Sequence, residues 1–186
     1  MQFMSIQNIA VFCGSKSGNN PLFAAHAKQT GEWLGKNGIG LIYGGGSVGL
    51  MGVVADAVMA SGGNVVGVIP EVLVAWEQGH KGITQMHVVT DMHVRKKMMY
   101  ELCDAAIVLP GGYGTLDELF EIITWNNLKI HDKKIILLNS AGFYTHLIAH
   151  IEMMQNEDYL YGNWRERIIV CDTPEAIFSY LDAGKN

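Results

Sequence analysis

The sequence predicts an α/β fold, a Rossmann-like doubly wound parallel sheet with helices on both faces, spanning residues 1–186 as one domain. Two observations carry this. Short runs rich in Val and Ile recur along the whole chain, and most are continuously apolar rather than alternating, the pattern of strands buried on both faces. Between the runs lie segments long enough for helices, and near-regular alternation of strand and helix implies right-handed crossovers between parallel strands. With 186 residues and 49% hydrophobic content there is chain enough for one proper core, and no internal repeat or long polar linker suggests a second.

The first run, Ile9 to Phe12, leaves through Cys13-Gly14-Ser15-Lys16-Ser17-Gly18 toward a helix over Leu22 to Lys36. There Asn20-Pro21 supplies an N-cap followed by proline at the first helical position, and Phe23, Ala27, Thr30 and Leu34 form one stripe. The second run, Leu41 to Tyr43, exits through Gly44-Gly45-Gly46-Ser47-Val48-Gly49 into a helix over Val48 to Ala60. The third, Val65 to Ile69, meets Pro70-Glu71 and then Val72 to Gln85, whose weak periodicity reads as a surface loop or short helix over the site. His87 to Val89 precedes a helix over Met92 to Cys103, with Asp91 as N-cap. Ala105 to Leu109 precedes one over Gly114 to Lys129, Ile135 to Leu138 one over Phe143 to Gln155, and Ile168 to Val170 one over Pro174 to Ala183. In such a sheet ligands sit beyond the carboxyl ends of the strands, where the strand order reverses, so the exit turns are the places to look.

Composition excludes several classes. A net charge of -5 leaves no footprint for nucleic acid or a membrane surface. Glycine, proline or charge interrupts every apolar run within about ten residues, far short of a membrane span. The first basic residue, Lys16, follows the early apolar segment, so the beginning of the chain does not read as a signal peptide and a cytoplasmic protein is expected. Cys13, Cys103 and Cys171 are odd in number and lie beside or within apolar runs, as buried thiols do. His146 and His150 have the i, i+4 spacing of a helical metal pair but no third ligand, so no metal and no cofactor is expected.

The most informative turn is Leu109-Pro110-Gly111-Gly112-Tyr113-Gly114-Thr115-Leu116-Asp117-Glu118. Strand turning through bare backbone into a helix N-terminus is a place to hold an anion, because unpaired amides and the positive end of the helix dipole face the turn. Thr115 and Glu118 have a second reading as a capping box. Gly44-x-Gly46-x-x-Gly49, with Glu71 downstream, matches the dinucleotide fingerprint formally, but it follows the second run rather than the first. A tight turn with close helix packing, or mononucleotide phosphate binding, explains it as well; an NAD-linked oxidoreductase is the weakest reading. No Gly-Lys-Ser/Thr triplet occurs, so no Walker loop is present. The helix opened by Met92 carries Arg95, Lys96 and Lys97 early, against the dipole, which an anionic ligand would relieve; a solvated basic turn is the other reading.

These residues carry a resemblance. Met92-x-x-Arg95-Lys96, the string Pro110-Gly111-Gly112-x-Gly114-Thr115-x-x-Glu118, and Thr124-Trp125 resemble the Lonely Guy family of cytokinin riboside 5'-monophosphate phosphoribohydrolases. The similarity extends to Phe12-Cys13-Gly14-Ser15, to Tyr43-Gly44-Gly45-Gly46 with Gly49-Leu50-Met51-Gly52, and to Leu137-Leu138-Asn139 with Gly142-Phe143-Tyr144. It implies a homodimer that converts a purine nucleoside 5'-monophosphate, AMP or an N6-prenylated AMP, to free base and ribose 5-phosphate. By the same resemblance Arg95 and Glu118 are catalytic, and Glu77, Lys96, Thr124 and the turn Gly112, Tyr113, Gly114, Thr115, Leu116 and Asp117 line the nucleotide site. Ser15, Gly45, Gly46 and Gly111 are added as substrate contacts from their places in the glycine turns. Asp117 stands where many members have Glu, and Trp76 and Gln78 flank Glu77 in a segment that the family varies. The family's other label, lysine decarboxylase, finds no support, since that chemistry needs a Schiff-base lysine and a larger fold.

Cleavage of an N-glycosidic bond develops oxocarbenium character at the anomeric carbon, which a carboxylate beside the ribose stabilises while orienting water. Glu118 is the expected carboxylate, Thr115 and the glycine amides the expected phosphate grip, and Arg95 the group that offsets negative charge on phosphate or departing base. Glu121, one turn on, reads first as a solvated or ion-paired carboxylate. The competing reading from another class is a non-catalytic nucleotide-binding or sensing module.

Overall fold

The computed structural model describes residues 6–74 and 79–183. Seven parallel strands form one sheet: β1 (Asn8–Phe12), β2 (Gly40–Tyr43), β3 (Val65–Pro70), β4 (Gln85–Val89), β5 (Ala105–Val108), β6 (Lys134–Leu138) and β7 (Ile168–Cys171), in the order β4-β3-β2-β1-β5-β6-β7. Helices α1 (Pro21–Lys36), α2 (Gly49–Ala60), α3 (Glu71–Val74), α4 (Met92–Leu102), α5 (Tyr113–Asn127), α6 (Thr145–Asn156) and α7 (Pro174–Ala183) follow the strands in turn. All seven expected strands are present.

Two-sided burial explains the continuous apolar runs. Along β1, Ile9, Val11 and Cys13 face a core shared with Ala27 and Leu34 of α1, Leu50, Val54 and Val58 of α2 and Ile177 of α7. The intervening Ala10 and Phe12 face the opposite core, with Met99 and Tyr100 of α4, Leu119 and Ile122 of α5 and Ile151 of α6. Each large aliphatic side chain so removed from water contributes about 2 kcal/mol, which is how strands of four or five residues are held. The edge strand β4 departs from this pattern: only Val89 is buried, and Val88 is 56% exposed.

Helix starts follow local chemistry. Asn20 caps α1 by accepting from the Leu22 amide at 3.0 Å, with Pro21 leading the helix. Asp91 accepts from the His93 and Val94 amides at 2.9 Å each, and these bonds hold its carboxyl below the usual range. Several boundaries differ from the sequence reading, and β4 begins at Gln85 rather than His87. Ser140–Gly142 forms a 3-10 turn with Ala141 at φ 50°, so α6 starts at Thr145 rather than Phe143. Lys129, at φ 59°, lies beyond the end of α5, and a second 3-10 turn, Trp164–Glu166, precedes β7. The segment after β3 opens with the single turn α3, and Gly79 then pairs with Gly46 in an isolated antiparallel bridge.

Strand order reverses at β1. Its chain leaves toward β2 on one side, while β5 lies on the other with Phe12 opposite Val108. The exits of these two strands are stitched together by Leu109 N–H to Phe12 O at 2.9 Å and Gly14 N–H to Pro110 O at 3.0 Å. No helix of the described residues is long and apolar enough to cross a membrane.

Candidate active site

A cavity of about 320 Å³ opens at this reversal point, beyond the carboxyl ends of β1, β2 and β5. Its floor is Val11, Cys13, Gly14 and Ser15 from β1 and its exit, and Gly44 and Met51 close the β2 side. Met92 and Arg95 enter from α4, and Gly112, Tyr113, Gly114, Thr115 and Glu118 from the start of α5. The two expected catalytic residues therefore reach one cavity from different helices. Both are buried, Arg95 at 5% and Glu118 at 8% exposure.

Arg95 is fixed by carbonyls at the strand ends. Its Nε donates to Val68 O at 3.1 Å and its Nη2 to Gly44 O at 3.0 Å. A Cβ on Gly44 would lie 2.0 Å from Nη2, so glycine is required there for the guanidinium to seat. The result is a cation held on the β2–β3 side of the cavity before any ligand arrives.

The opposite side is the N-terminus of α5. The capping-box reading fails here: the N-cap is Gly112, no side chain caps the helix, and Thr115 sits inside its first turn, 3% exposed. The helix N-terminus thus faces the cavity with no side chain on its first amides, the kind of end at which anions bind. A Cβ on Gly112 or Gly114 would meet nothing within 4 Å, so these positions open onto space that a ligand can enter closely. Gly111 serves packing instead, since a Cβ there would come within 2.1 Å of Thr115 Oγ1 and 2.9 Å of Gly14 N. Beneath the turn, the buried Tyr144 donates its hydroxyl to Leu109 O at 2.7 Å. Burial first, and the neighbouring Cys13, push that phenol above its ordinary range, so it stays a donor.

Other expected contacts lie elsewhere. A Cβ on Gly45 would face Met86 and Ile69, its carbonyl accepts from the His80 amide at 2.9 Å, and Gly46 is committed to Gly79. Gly49, at φ 61°, lets α2 approach the backbone of Ser15 and Lys16, where a Cβ would lie 2.3 Å from Ser15 C. Most of this glycine motif therefore packs chain against chain, as the tight-turn reading has it, and Gly44 lines the cavity. Lys96 turns away from the cavity to pair with Asp117 and Glu121 at 3.1 Å each. Burial opposes its charge, but these two hydrogen-bonded carboxylates overcome that and raise its pKa. A Schiff-base lysine needs the reverse shift. Leu116 is half-buried in the second core, and Thr124 bonds back to Phe120 O at 2.7 Å within its own helix. Glu77 lies outside the described residues. His146 and His150 are on exposed positions of α6, and no group of three metal-ligating residues occurs among the described residues. Val11, Cys13, Gly14, Gly44, Met51 and Met92 line the cavity without having been expected as contacts, although Cys13, Gly14, Gly44, Met51 and Met92 stand within the strings that carry the resemblance, and Tyr144 supports the turn from beneath.

Comparison with known proteins places this geometry. The family model described as possible lysine decarboxylase matches residues 51–181. The chain is 45% identical over 176 residues to the cytokinin riboside 5'-monophosphate phosphoribohydrolase of Rhodococcoides fascians, covering 94% of this chain and 89% of that one. It is 41% identical over 182 residues to the Arabidopsis thaliana enzyme LOG3 of the same name, covering 98% and 85%. Among solved structures, the molybdenum cofactor binding protein of Rippkaea orientalis superposes with a TM-score of 0.74 at 19% identity, covering 98% of this chain and 99% of that one. The Chlamydomonas reinhardtii molybdenum cofactor carrier protein does so at 0.72 and 16%, covering 96% and 97%. Those two similarities describe the shared sheet and helices, whereas the sequence matches extend through Arg95, Gly112 and Glu118. On these matches, the chain belongs to the family of cytokinin riboside 5'-monophosphate phosphoribohydrolases.

Proposed function

We propose that this protein hydrolyses the N-glycosidic bond of purine nucleoside 5'-monophosphates, AMP or an N6-substituted AMP, to free base and ribose 5-phosphate. The observation that carries the reading is a buried cation and a buried carboxylate, Arg95 and Glu118, lining one cavity whose other end is an uncapped helix N-terminus. The 5'-phosphate sits at the amides of Gly112 to Thr115, with Ser15 across the crevice. Glu118, further along the same helix, then faces the ribose, stabilises positive charge at the anomeric carbon and orients the attacking water. Arg95 lies about two strand spacings from the β1–β5 crevice, roughly 10 Å, which favours the departing base over the phosphate as its target. Held there by Gly44 and Val68 carbonyls, its charge offsets the electron pair that the purine takes with it.

Incubation with AMP, GMP, CMP and N6-isopentenyl-AMP tests the reading. Release of adenine or its prenylated form, with CMP left intact, is the expected result. Binding of AMP with the nucleotide recovered whole after prolonged incubation indicates a sensing module instead.

The working protein is a cytoplasmic homodimer. Supporting the dimer are exposed apolar side chains of α4 and α5: Val94, Leu102 and Phe120 are each more than one-third exposed. Specific activity should fall on dilution through the dimer dissociation range; activity per mole that stays constant for a species sedimenting as a monomer would refute the dimer as the working form.

A further inference from the structure

Behind the cavity, α4 and α5 meet through long side chains that the chemistry above does not use. Asp117, Glu118 and Glu121 lie within little more than one turn of α5, and of the three only Glu118 lines the cavity. Lys96, 8% exposed, reaches from α4 to Asp117 Oδ2 and Glu121 Oε1, each 3.1 Å from its Nζ. Tyr100, one turn later and 1% exposed, donates its hydroxyl to Glu121 Oε2 at 2.8 Å and lies 3.4 Å from Glu118 O. Its ring is wedged edge-on against Phe12 at 6.0 Å and Trp125 at 5.1 Å. Both oxygens of Glu121 are thus engaged by α4, one by the residue next to Arg95.

We propose that Lys96, Glu121 and Tyr100 are positioning residues: a clamp that fixes the distance between Arg95 and Glu118 and screens Glu118 from the negative charge of its two neighbouring carboxylates. This rests on the phosphoribohydrolase reading of the cavity. Lys96 then acts through Glu118 rather than on the nucleotide, which departs from the role that family resemblance gives it. The geometric part follows from scale, since a displacement of about 1 Å between reacting groups costs about a hundredfold in rate. The electrostatic part follows from like charge: carboxylates sharing a site disfavour one another's ionised form, and a cation between them relieves it.

Among the described residues, the charged and titratable groups that share the cavity or the α4–α5 contact with Glu118 include Arg95, Lys96 and Tyr100 from α4, Asp117 and Glu121 from its own helix, and Cys13 and Tyr113 along the cavity wall. Burial, together with the charges of Glu121, Glu118 and Asp117, holds the Tyr100 phenol far above its usual range. It therefore remains a donor to Glu121 at every working pH.

The test is the pH profile of AMP hydrolysis from acid to mildly alkaline for wild type, Lys96→Met, Tyr100→Phe and Lys96→Met/Glu121→Gln. For Lys96→Met the acid limb of kcat should move up by about one pH unit, with KM within about threefold. Adding Glu121→Gln, which removes a negative charge and keeps the shape, should bring the limb back. Tyr100→Phe keeps the packed ring and should lower kcat about tenfold with KM and the acid limb unmoved. Should Lys96→Met fail to fold, Lys96→Gln carries the same comparison. A tenfold rise in KM for Lys96→Met with an unmoved limb overturns the proposal in favour of direct substrate binding, and wild-type kcat in Tyr100→Phe overturns the clamp. If wild type itself releases no adenine, the phosphoribohydrolase reading falls before any variant is compared.

Discussion

Replacing Glu118 by Gln should lower kcat for AMP by about 10²- to 10⁴-fold while KM stays within a few-fold, because the lost interaction belongs to the transition state. Gln has the size and hydrogen-bonding reach of Glu, so the buried position stays filled and the melting temperature should stay close to that of wild type. What disappears is the negative charge. An oxocarbenium-like ribose then lacks its counter-charge, and the attacking water lacks a group to take its proton. Steady-state kinetics with AMP and a thermal melt on the same preparation check this. A Glu118→Gln enzyme that releases adenine at the wild-type rate would mean that the carboxylate is a structural feature of α5.

The second large effect is expected at Gly44, which has no side chain to take part in the chemistry but seats Arg95 through its carbonyl. The guanidinium occupies the space a side chain would need: an added Cβ would be 2.0 Å from Arg95 Nη2 and 3.2 Å from Met51 Sδ. Gly44→Ala should therefore push Arg95 off the Gly44 carbonyl and lower kcat/KM about a hundredfold, close to the loss from Arg95→Ala. Combining the two should cost no more than the larger alone, since both remove one cation from one place and coupled residues are not additive. Kinetics of the two single variants and the double variant close the cycle. Near wild-type kcat/KM in Gly44→Ala, or strictly additive losses, would separate Gly44 from Arg95.

The fold was legible because two-sided burial writes itself into the chain. β1, β2, β5 and β6 are continuous apolar runs for the physical reason that both faces are covered, and Asn20-Pro21 and Asp91 mark helix starts through side chains that bind amides. Where those signals fail, the reading was coarser. The edge strand β4 buries only Val89 and looked shorter than it is, and the turn at Ala141 depends on a left-handed residue that is not glycine.

At the site, the sequence locates the two helix starts but not which way individual residues face. Arg95 and Lys96 are adjacent and both basic, yet the helical turn between them sends one into the cavity and the other to Asp117 and Glu121. Gly44, Gly45 and Gly46 are chemically identical, and only contact with Arg95, distant in sequence, singles out the first. Thr115-x-x-Glu118 fits a capping box by spacing, but the helix begins at Tyr113, which places Thr115 inside it and leaves the end open. Tyr144 reaches the site through the Leu109 carbonyl from a helix start one strand later in the order of the chain, a partnership that no local pattern announces.

The bond that breaks is the decisive quantity. AMP hydrolysed in ¹⁸O-labelled water should yield unlabelled adenine and ribose 5-phosphate carrying one labelled oxygen at the anomeric hydroxyl, read by mass spectrometry. Label appearing in inorganic phosphate alongside adenosine, or AMP recovered intact and unlabelled, would contradict the account.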